Sequence, residues 1–298
     1  MLIASVYKQT KRSILVVTYN LLQAQKLYED VTNFLSEEEV FLYPANELIA
    51  AEISISSPEL RAQRIDGLNH WSNHNIGIVI VPMGGFRKLL PPKEMWQKYQ
   101  LSFSVGSELD LEKITHQLVI MGYSRADMVS SPGEFSLRGG ILDIYPLTES
   151  NPIRIELFDT EIDSIRTFSI ENQKSMEKVL TVHIGPATEL ILEPANVNRM
   201  ADLLEEGLRN SLNKIKNEKS KNLLLQNVGS EIEQLRSGLK IDTIYKYSSL
   251  AYERPASLLD YLPHDGLVFL EEFTQIQDIT ASLEGERREC LLNLLDVE

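Results

Sequence analysis

Apolar residues follow two different rhythms along the first part of the chain. Continuous apolar runs, typical of strands buried on both faces, occur at 13–18, 40–44 and 76–82. Between them, apolar residues recur every three to four positions, as on one face of a helix. The first such stripe consists of Leu21, Ala24, Tyr28, Val31 and Leu35. Ser57 followed by Pro58 is typical of a helix start. Strands that alternate with helices in this way predict a doubly wound, parallel α/β domain.

The pattern changes after residue 98. A helical stripe at 111–123 is followed by short strands separated by turn residues, as in antiparallel hairpins. Charged helical segments return later, and one more buried-type strand, Gly266–Leu270, lies among them. A single strand cannot form a sheet, so we expect this one to join the first sheet. The chain is therefore predicted to consist of an α/β domain, residues 1–98 and 187–298, interrupted by an inserted α+β domain, residues 99–186.

Two neighbouring strands of the inserted domain carry residues that disturb a simple alternation. In IRIELF, a period of two places the three aliphatic residues in the core and Arg154, Glu156 and Phe158 on the opposite face. In GEFSLRGGILDIYP, strict alternation from the first apolar residues would bury Asp143. An extra residue restores the pattern, and we therefore predict a β-bulge at Gly139–Gly140 that turns Arg138 outward.

Two interpretations of these outward-facing residues stay open from the pattern alone. Arg138, Arg154 and Phe158 have the residue types that are enriched in interface hot spots, which favours a partner-binding surface. Alternatively, the two arginines only pair across the sheet with an acidic neighbour. The candidates for that neighbour are Glu134, Glu156 and Asp143.

Composition excludes several other classes of protein. Hydrophobic residues make up 43% and charged residues 24%, which is ordinary for a soluble globular protein, and no apolar run approaches the roughly 18 residues of a membrane span. The net charge of −14 opposes general attraction to nucleic acid. One cysteine, Cys290, and five scattered histidines predict neither an internal disulfide nor a metal site. The first residues do not resemble a signal peptide, so we expect a cytoplasmic protein.

The search for catalytic motifs predicts no active site and no cofactor. The phosphate-loop pattern GxxxxGK[ST] does not occur, and PMGGFRKLL at 82–90 lacks its spacing and its hydroxyl group. Glu271 and Glu272 follow the last strand, where a motor ATPase places an acidic pair that holds magnesium. Without a phosphate loop we expect this degenerate acidic motif to be inactive. The alternative is a residual nucleotide-binding or nucleotide-hydrolysing domain that uses these two carboxylates.

Several stretches together resemble a known family. GEFSLRGGILDIYP, PIRIELFDTEIDSIRTF, LLPPKEMW, GPATELIL and PASLLDYLPHDGLVFLEEF are similar to the motifs shared by the excision-repair protein UvrB and the N-terminal module of bacterial transcription-repair coupling factors (Mfd). The resemblance covers nearly the whole chain. Two departures from UvrB favour the coupling factors: PANELIAAEISISS is too short for the DNA-clamping hairpin of UvrB, and Glu271-Glu272-Phe273-Thr274 stands in place of Asp-Glu-Ser-His.

This resemblance implies a UvrB-like body, related to helicases but without a working phosphate loop, and an inserted domain that binds UvrA. The residues that match the family's UvrA contacts are Arg138, Arg154 and Phe158. The resemblance also implies a segment truncated at both ends, with ATP-dependent DNA translocation and the contacts with RNA polymerase and DNA in domains outside it. Such a segment would be a non-catalytic docking module that recruits nucleotide excision repair to stalled polymerase.

Overall fold

The structure is a computed structural model that describes residues 2–45, 57–239, 241 and 244–295. Its strands are β1 (Ile14–Thr18), β2 (Val40–Leu42), β3 (Ile78–Pro82), β4 (Leu101–Ser104), β5 (Ser124–Arg125), β6 (Glu134–Arg138), β7 (Ile141–Ile144), β8 (Ile153–Phe158), β9 (Glu161–Phe168), β10 (Ser175–Val179), β11 (Thr181–Ile184) and β12 (Leu267–Leu270). Its helices are α1 (Leu2–Thr10), α2 (Leu21–Thr32), α3 (Pro58–Ser72), α4 (Met83–Phe86), α5 (Lys93–Lys98), α6 (Leu111–Ile120), α7 (Pro194–Lys214), α8 (Glu218–Arg236), α9 (Ser248–Ala251), α10 (Leu258–Tyr261) and α11 (Phe273–Leu295).

The two ends of the chain share one parallel sheet. Its strand order is β12-β1-β3-β2, and β12 pairs with β1 so that Leu267 lies opposite Ile14. The prediction that the last strand returns to the first sheet is therefore confirmed. β1 and β3 are buried along their whole length, because helices cover both faces of the sheet. Burial on both faces explains why these strands read as continuous apolar runs.

Side chains cap the starts of α2 and α3, and the cap of α3 is the predicted one. The hydroxyl of Ser57 accepts a hydrogen bond of 3.3 Å from the backbone N–H of Leu60, and Pro58 occupies the first position of α3. In α2, the side chain of Asn20 accepts a bond of 2.8 Å from the N–H of Gln23. These bonds satisfy amide groups that have no partner inside the helix. The predicted absence of a UvrB-type hairpin concerns residues 46–56, which lie outside the described part of the chain.

The middle of the chain forms a second sheet with the strand order β10-β9-β8-β7-β6-β5. One face packs on α6 in the main hydrophobic core. β4 and β11 pair antiparallel, which brings the beginning and the end of this region together. Both sheets fit the predicted α/β fold with a UvrB-like arrangement. The exact domain limits, residues 98/99 and 186/187, stay a prediction.

The predicted bulge at Gly139–Gly140 is wrong. β6 and β7 pair in regular register up to Arg138 opposite Ile141, and the two glycines form the two-residue turn of this hairpin. Gly139 has a φ of +60°, as the first turn residue of a type II′ turn requires. A two-residue turn restores the alternation as a bulge would, and Arg138 does face outward. A register shift occurs instead on β9, where Asp163 is the extra residue opposite the Glu156–Leu157 step of β8.

The carboxyl-terminal third of the chain adds a helical layer. α7 and α8 pack against each other through a small apolar cluster that includes Met200, Leu204, Ile232 and Leu235. Among the described residues, no helix combines the length and the apolar composition that are needed to cross a bilayer.

Candidate partner-binding site

One buried aspartate holds two arginines on the outer face of the six-stranded sheet. The Nη2 of Arg138 donates to Oδ2 of Asp143 at 2.8 Å. Arg154 donates to both oxygens of the same carboxylate, from Nε at 2.7 Å and from Nη2 at 2.9 Å. The side chain of Asp143 is 1% exposed, although it lies on the face opposite the core. The two guanidinium groups cover it, so the carboxylate is both desolvated and fully paired.

The strand register brings these three side chains together. Asp143 lies directly opposite Arg154 on β8, and Ser136 of β6 lies opposite Asp143. Arg138 is two residues beyond Ser136 on the same strand, so its side chain points to the same face and reaches back to the carboxylate. The cross-strand pairing that was considered as an alternative is therefore present, with Asp143 as the shared acid.

Arg154 is held by more than the carboxylate. Its Nη2 also donates to Oε1 of Gln173 at 3.2 Å, and its guanidinium carbon lies 4.3 Å from the centre of the Phe168 ring. The hydrogen bonds with Asp143 raise the pKa of Arg154 above its ordinary value, although burial acts in the opposite direction. The side chain is 14% exposed. Arg154 is thus a fixed, charged group at the base of the surface.

Phe158 and Arg138 are the exposed members of the predicted site. Phe158 ends β8 and is 81% exposed, one residue before Asp159, whose positive φ of +58° begins the reversal into β9. The side chain of Arg138 is 45% exposed. Phe158 and Arg154 lie four residues apart on β8 and so share its outer face. The structure places all three predicted residues on one face; their role in partner binding stays a prediction.

A third arginine on this face was missed from the sequence. Arg166 of β9 lies directly opposite Arg154, and its Nη2 contacts the Oε2 of Glu156. The hydroxyl of Ser164 donates to the same carboxylate oxygen at 3.1 Å. The spacing of Ile162 and Ile165, which are both buried, is the signal that could have found it. Residues on one face of a regular strand are two positions apart, whereas these two are three apart. The difference indicates an extra residue, and this residue sets the direction of Arg166.

The acidic pair at the end of β12, Glu271 and Glu272, lies on the parallel sheet and not on the sheet that carries the arginines. The backbone N–H of Glu271 donates to the carbonyl of Val17 at 2.9 Å, and its Oε1 accepts a bond of 3.0 Å from the side-chain amide of Gln23. Glu272 is exposed and has a φ of +53°. Among the residues that the structure describes, no three His, Cys, Asp or Glu side chains are grouped so that they could hold a metal ion.

Comparison with known families defines the class of the middle region. Residues 101–190 match the sequence model of the family described as UvrB interaction domain. This match spans the six-stranded sheet and the β4–β11 pair, and it includes Arg138, Arg154 and Phe158. Residues 101–190 are therefore similar to UvrB interaction domains, and the face that carries Arg138 and Arg154 lies within the matched region.

The similarity to one kind of protein extends far beyond this region. The chain is 46% identical over 288 residues to the transcription-repair-coupling factor of Bacillus subtilis (strain 168), which is 97% of this chain and 24% of that protein. It is 35% identical over 303 residues to the transcription-repair-coupling factor of Staphylococcus aureus (strain USA300), 99% of this chain and 25% of that protein. The chain is homologous to these coupling factors and spans about a quarter of their length, which confirms the resemblance seen in its motifs.

Proposed function

We propose that this chain is a non-catalytic docking module that binds UvrA through residues 99–186 and so recruits nucleotide excision repair to stalled RNA polymerase. The observation that carries the proposal is the arrangement of Arg138, Arg154 and Phe158 within the UvrB interaction domain. Two arginines are held in place by one buried carboxylate, on the same face of the sheet as an exposed aromatic ring. Contacts with DNA and RNA polymerase, and ATP-driven movement along DNA, belong in this proposal to parts of the coupling factors beyond this chain, in the cytoplasm.

The arrangement has the physical properties of a docking surface. Asp143 holds the guanidinium groups in one geometry, so little side-chain freedom remains to be lost on binding. Arg138 uses one nitrogen on Asp143 and, being half-exposed, presents the rest of its donor fork to a partner. Phe158 supplies rigid apolar area that becomes buried when the partner binds.

Capture of purified UvrA by this chain tests the proposal. We expect Arg138→Glu, Arg154→Glu and Phe158→Ala each to abolish capture, because they reverse a charge or remove the aromatic contact. Leu22→Ala, a truncation of an exposed apolar residue on α2, is the matched control for Phe158→Ala and should bind as the wild type does. Circular dichroism melting of each variant separates lost binding from lost folding. UvrA capture that persists in all three variants would refute the site.

The competing function, a residual nucleotide-binding domain, has one observation in its favour. Glu271 lies at the carboxyl end of a strand in a parallel sheet, where α/β proteins bind ligands. Its Oε2 is buried and makes no hydrogen bond to the residues that the structure describes. Calorimetric titration of the chain with ATP and magnesium decides between the two functions. Micromolar affinity that is lost in Glu271→Gln would establish the nucleotide-binding alternative.

A further inference from the structure

We propose that Arg166 is a third partner-contacting arginine, and that this face of the sheet binds a protein surface that carries carboxylates. The inference rests on the proposed docking function and deepens it by naming an additional contact residue and the chemistry of the partner. It is carried by the strand register, the balance of charge and the hydrogen bonds of Arg166.

The strand register places further cations on the face that carries Arg138 and Arg154. Arg154 of β8, Arg166 of β9 and Lys178 of β10 lie directly opposite one another on adjacent strands, and Asp143 of β7 continues the same row. Residues directly opposite on neighbouring strands have their Cβ atoms about 5 Å apart. The second row, next to the first, contains Arg138, Ile141, Glu156 and Ser164. We call these two rows together the docking face.

The docking face is positive on a strongly acidic chain. Within its two rows, the four cations Arg138, Arg154, Arg166 and Lys178 face the two carboxylates of Asp143 and Glu156. Glu134 of β6 and Glu161, opposite Phe158, lie on the same side of the sheet beyond these rows. Asp143 is shared by two arginines, and Glu156 pairs with Arg166. The chain as a whole carries a net charge of −14. A local surplus of positive charge therefore attracts the acidic surface of a partner.

Among the described residues, Arg166 is the arginine of this face that has a buried donor without an acceptor. Its Nε is buried and makes no hydrogen bond to any described residue, whereas Arg154 uses both Nε and Nη2 on one carboxylate. A buried N–H without an acceptor costs free energy. Rotation of the Arg166 guanidinium away from Glu156 presents Nε and one Nη as a fork to a carboxylate of the partner, and it satisfies the unpaired donor.

The observations favour a protein partner over nucleic acid. Phosphate backbones also attract arginines, but they are repelled by the remainder of a chain with a charge of −14. Phe158, which is exposed on the same face of β8 as Arg154, offers apolar area that suits a protein surface. Nucleic-acid binding by the docking face is consequently an outcome that would overturn the proposal.

The test measures the affinity of the full 298-residue chain for UvrA by calorimetry or biolayer interferometry. We expect Arg166→Gln to weaken binding by about tenfold or more, because a desolvated charge-assisted contact is lost. Lys178→Glu should also weaken it, and this exposed position keeps the test decisive if Arg166→Gln lowers the stability of the fold. Arg209→Gln, on the exposed side of α7, is the matched control and should leave the affinity unchanged.

The outcomes separate this inference from the proposed function. Unchanged affinity in both Arg166→Gln and Lys178→Glu, with wild-type binding intact, overturns the third contact and leaves the docking function standing. Absence of UvrA binding by the wild type overturns both. A mobility shift of DNA at low salt that is lost in Arg166→Gln would identify a phosphate partner and contradict the acidic-protein interpretation. Binding by the wild type that weakens from low to high salt, with a smaller salt dependence in Arg166→Gln, supports the proposal.

Discussion

A buried ion pair joins the region that matches the UvrB interaction domain to helix α3 of the α/β domain, and its removal should destabilise the chain strongly. Glu189 lies near the end of the matched region. Its Oε2 accepts bonds of 2.7 Å from both Nε and Nη2 of Arg64 on α3, and its Oε1 accepts a bond of 2.5 Å from the hydroxyl of Tyr43. Arg64 also donates from Nη1 to the carbonyl of Pro44 at 3.1 Å. The side chains of Arg64 and Glu189 are 3% and 8% exposed.

The perturbation is Glu189→Gln, which keeps the shape of the side chain and removes its charge. Arg64 then remains a buried cation that has lost the negative charge of Glu189. Breaking a buried pair from one side costs about 3 kcal/mol or more, because the remaining charge has lost its solvation and its partner. We expect the free energy of unfolding to fall by that amount at neutral pH. Glu205→Gln removes a carboxylate from the exposed pair with Arg236 and should lower the free energy of unfolding far less, because solvent screens this pair.

The effect should depend on pH in one direction. Burial opposes ionisation of Glu189, but the charges of Arg64 and Lys88, together with the hydrogen bonds from Tyr43 and Arg64, hold its pKa below the ordinary value. A carboxylate with a lowered folded-state pKa stabilises the fold above its unfolded pKa, which is about 4.3 for glutamate. This stabilisation is lost as the pH falls through the lower, folded-state pKa.

The assay is urea denaturation followed by circular dichroism, on the wild type and both variants, at pH 7 and at acidic pH. The difference between the wild type and Glu189→Gln should be large at pH 7 and should shrink below about pH 4. A loss at pH 7 no larger than that of Glu205→Gln would refute the argument from burial. A difference that stays constant into acid would refute the electrostatic origin.

Two further predictions concern the docking face and its hairpin. Asp143→Asn should lower UvrA affinity about tenfold, because Arg138 and Arg154 lose the anion that positions them. In a variant that already carries Arg138→Ala and Arg154→Ala, the same substitution should have no further effect on affinity. An undiminished effect in that variant would contradict a positioning role. Gly139→Ala should destabilise the fold by about 1–2 kcal/mol, measured by thermal or urea unfolding, since φ is +60° and only the backbone conformation opposes a side chain. Gly207→Ala, also with open space around the added Cβ but inside α7, should instead stabilise; equal signs would contradict the conformational argument.

The local pattern of residues was enough to predict the elements of the parallel sheet. The runs around β1 and β3 are continuous because both of their faces are buried, a property that each short stretch of sequence shows by itself. The cap at Ser57 is likewise a local feature, formed with an amide three residues away. The outward direction of Arg154 and Phe158 followed from the period of two along a single strand.

The site itself depends on register, which local patterns do not contain. A bulge and a two-residue turn have the same effect on alternation, so the glycine pair at 139–140 could not distinguish them without the pairing of β6 with β7. Asp143 is buried on the outer face, where arginines from two neighbouring strands pair with it. Arg166 joins them because Asp163 is an extra residue in β9. Which charges meet was decided by contacts between strands, where side chains distant in the chain become neighbours and exclude water from one another.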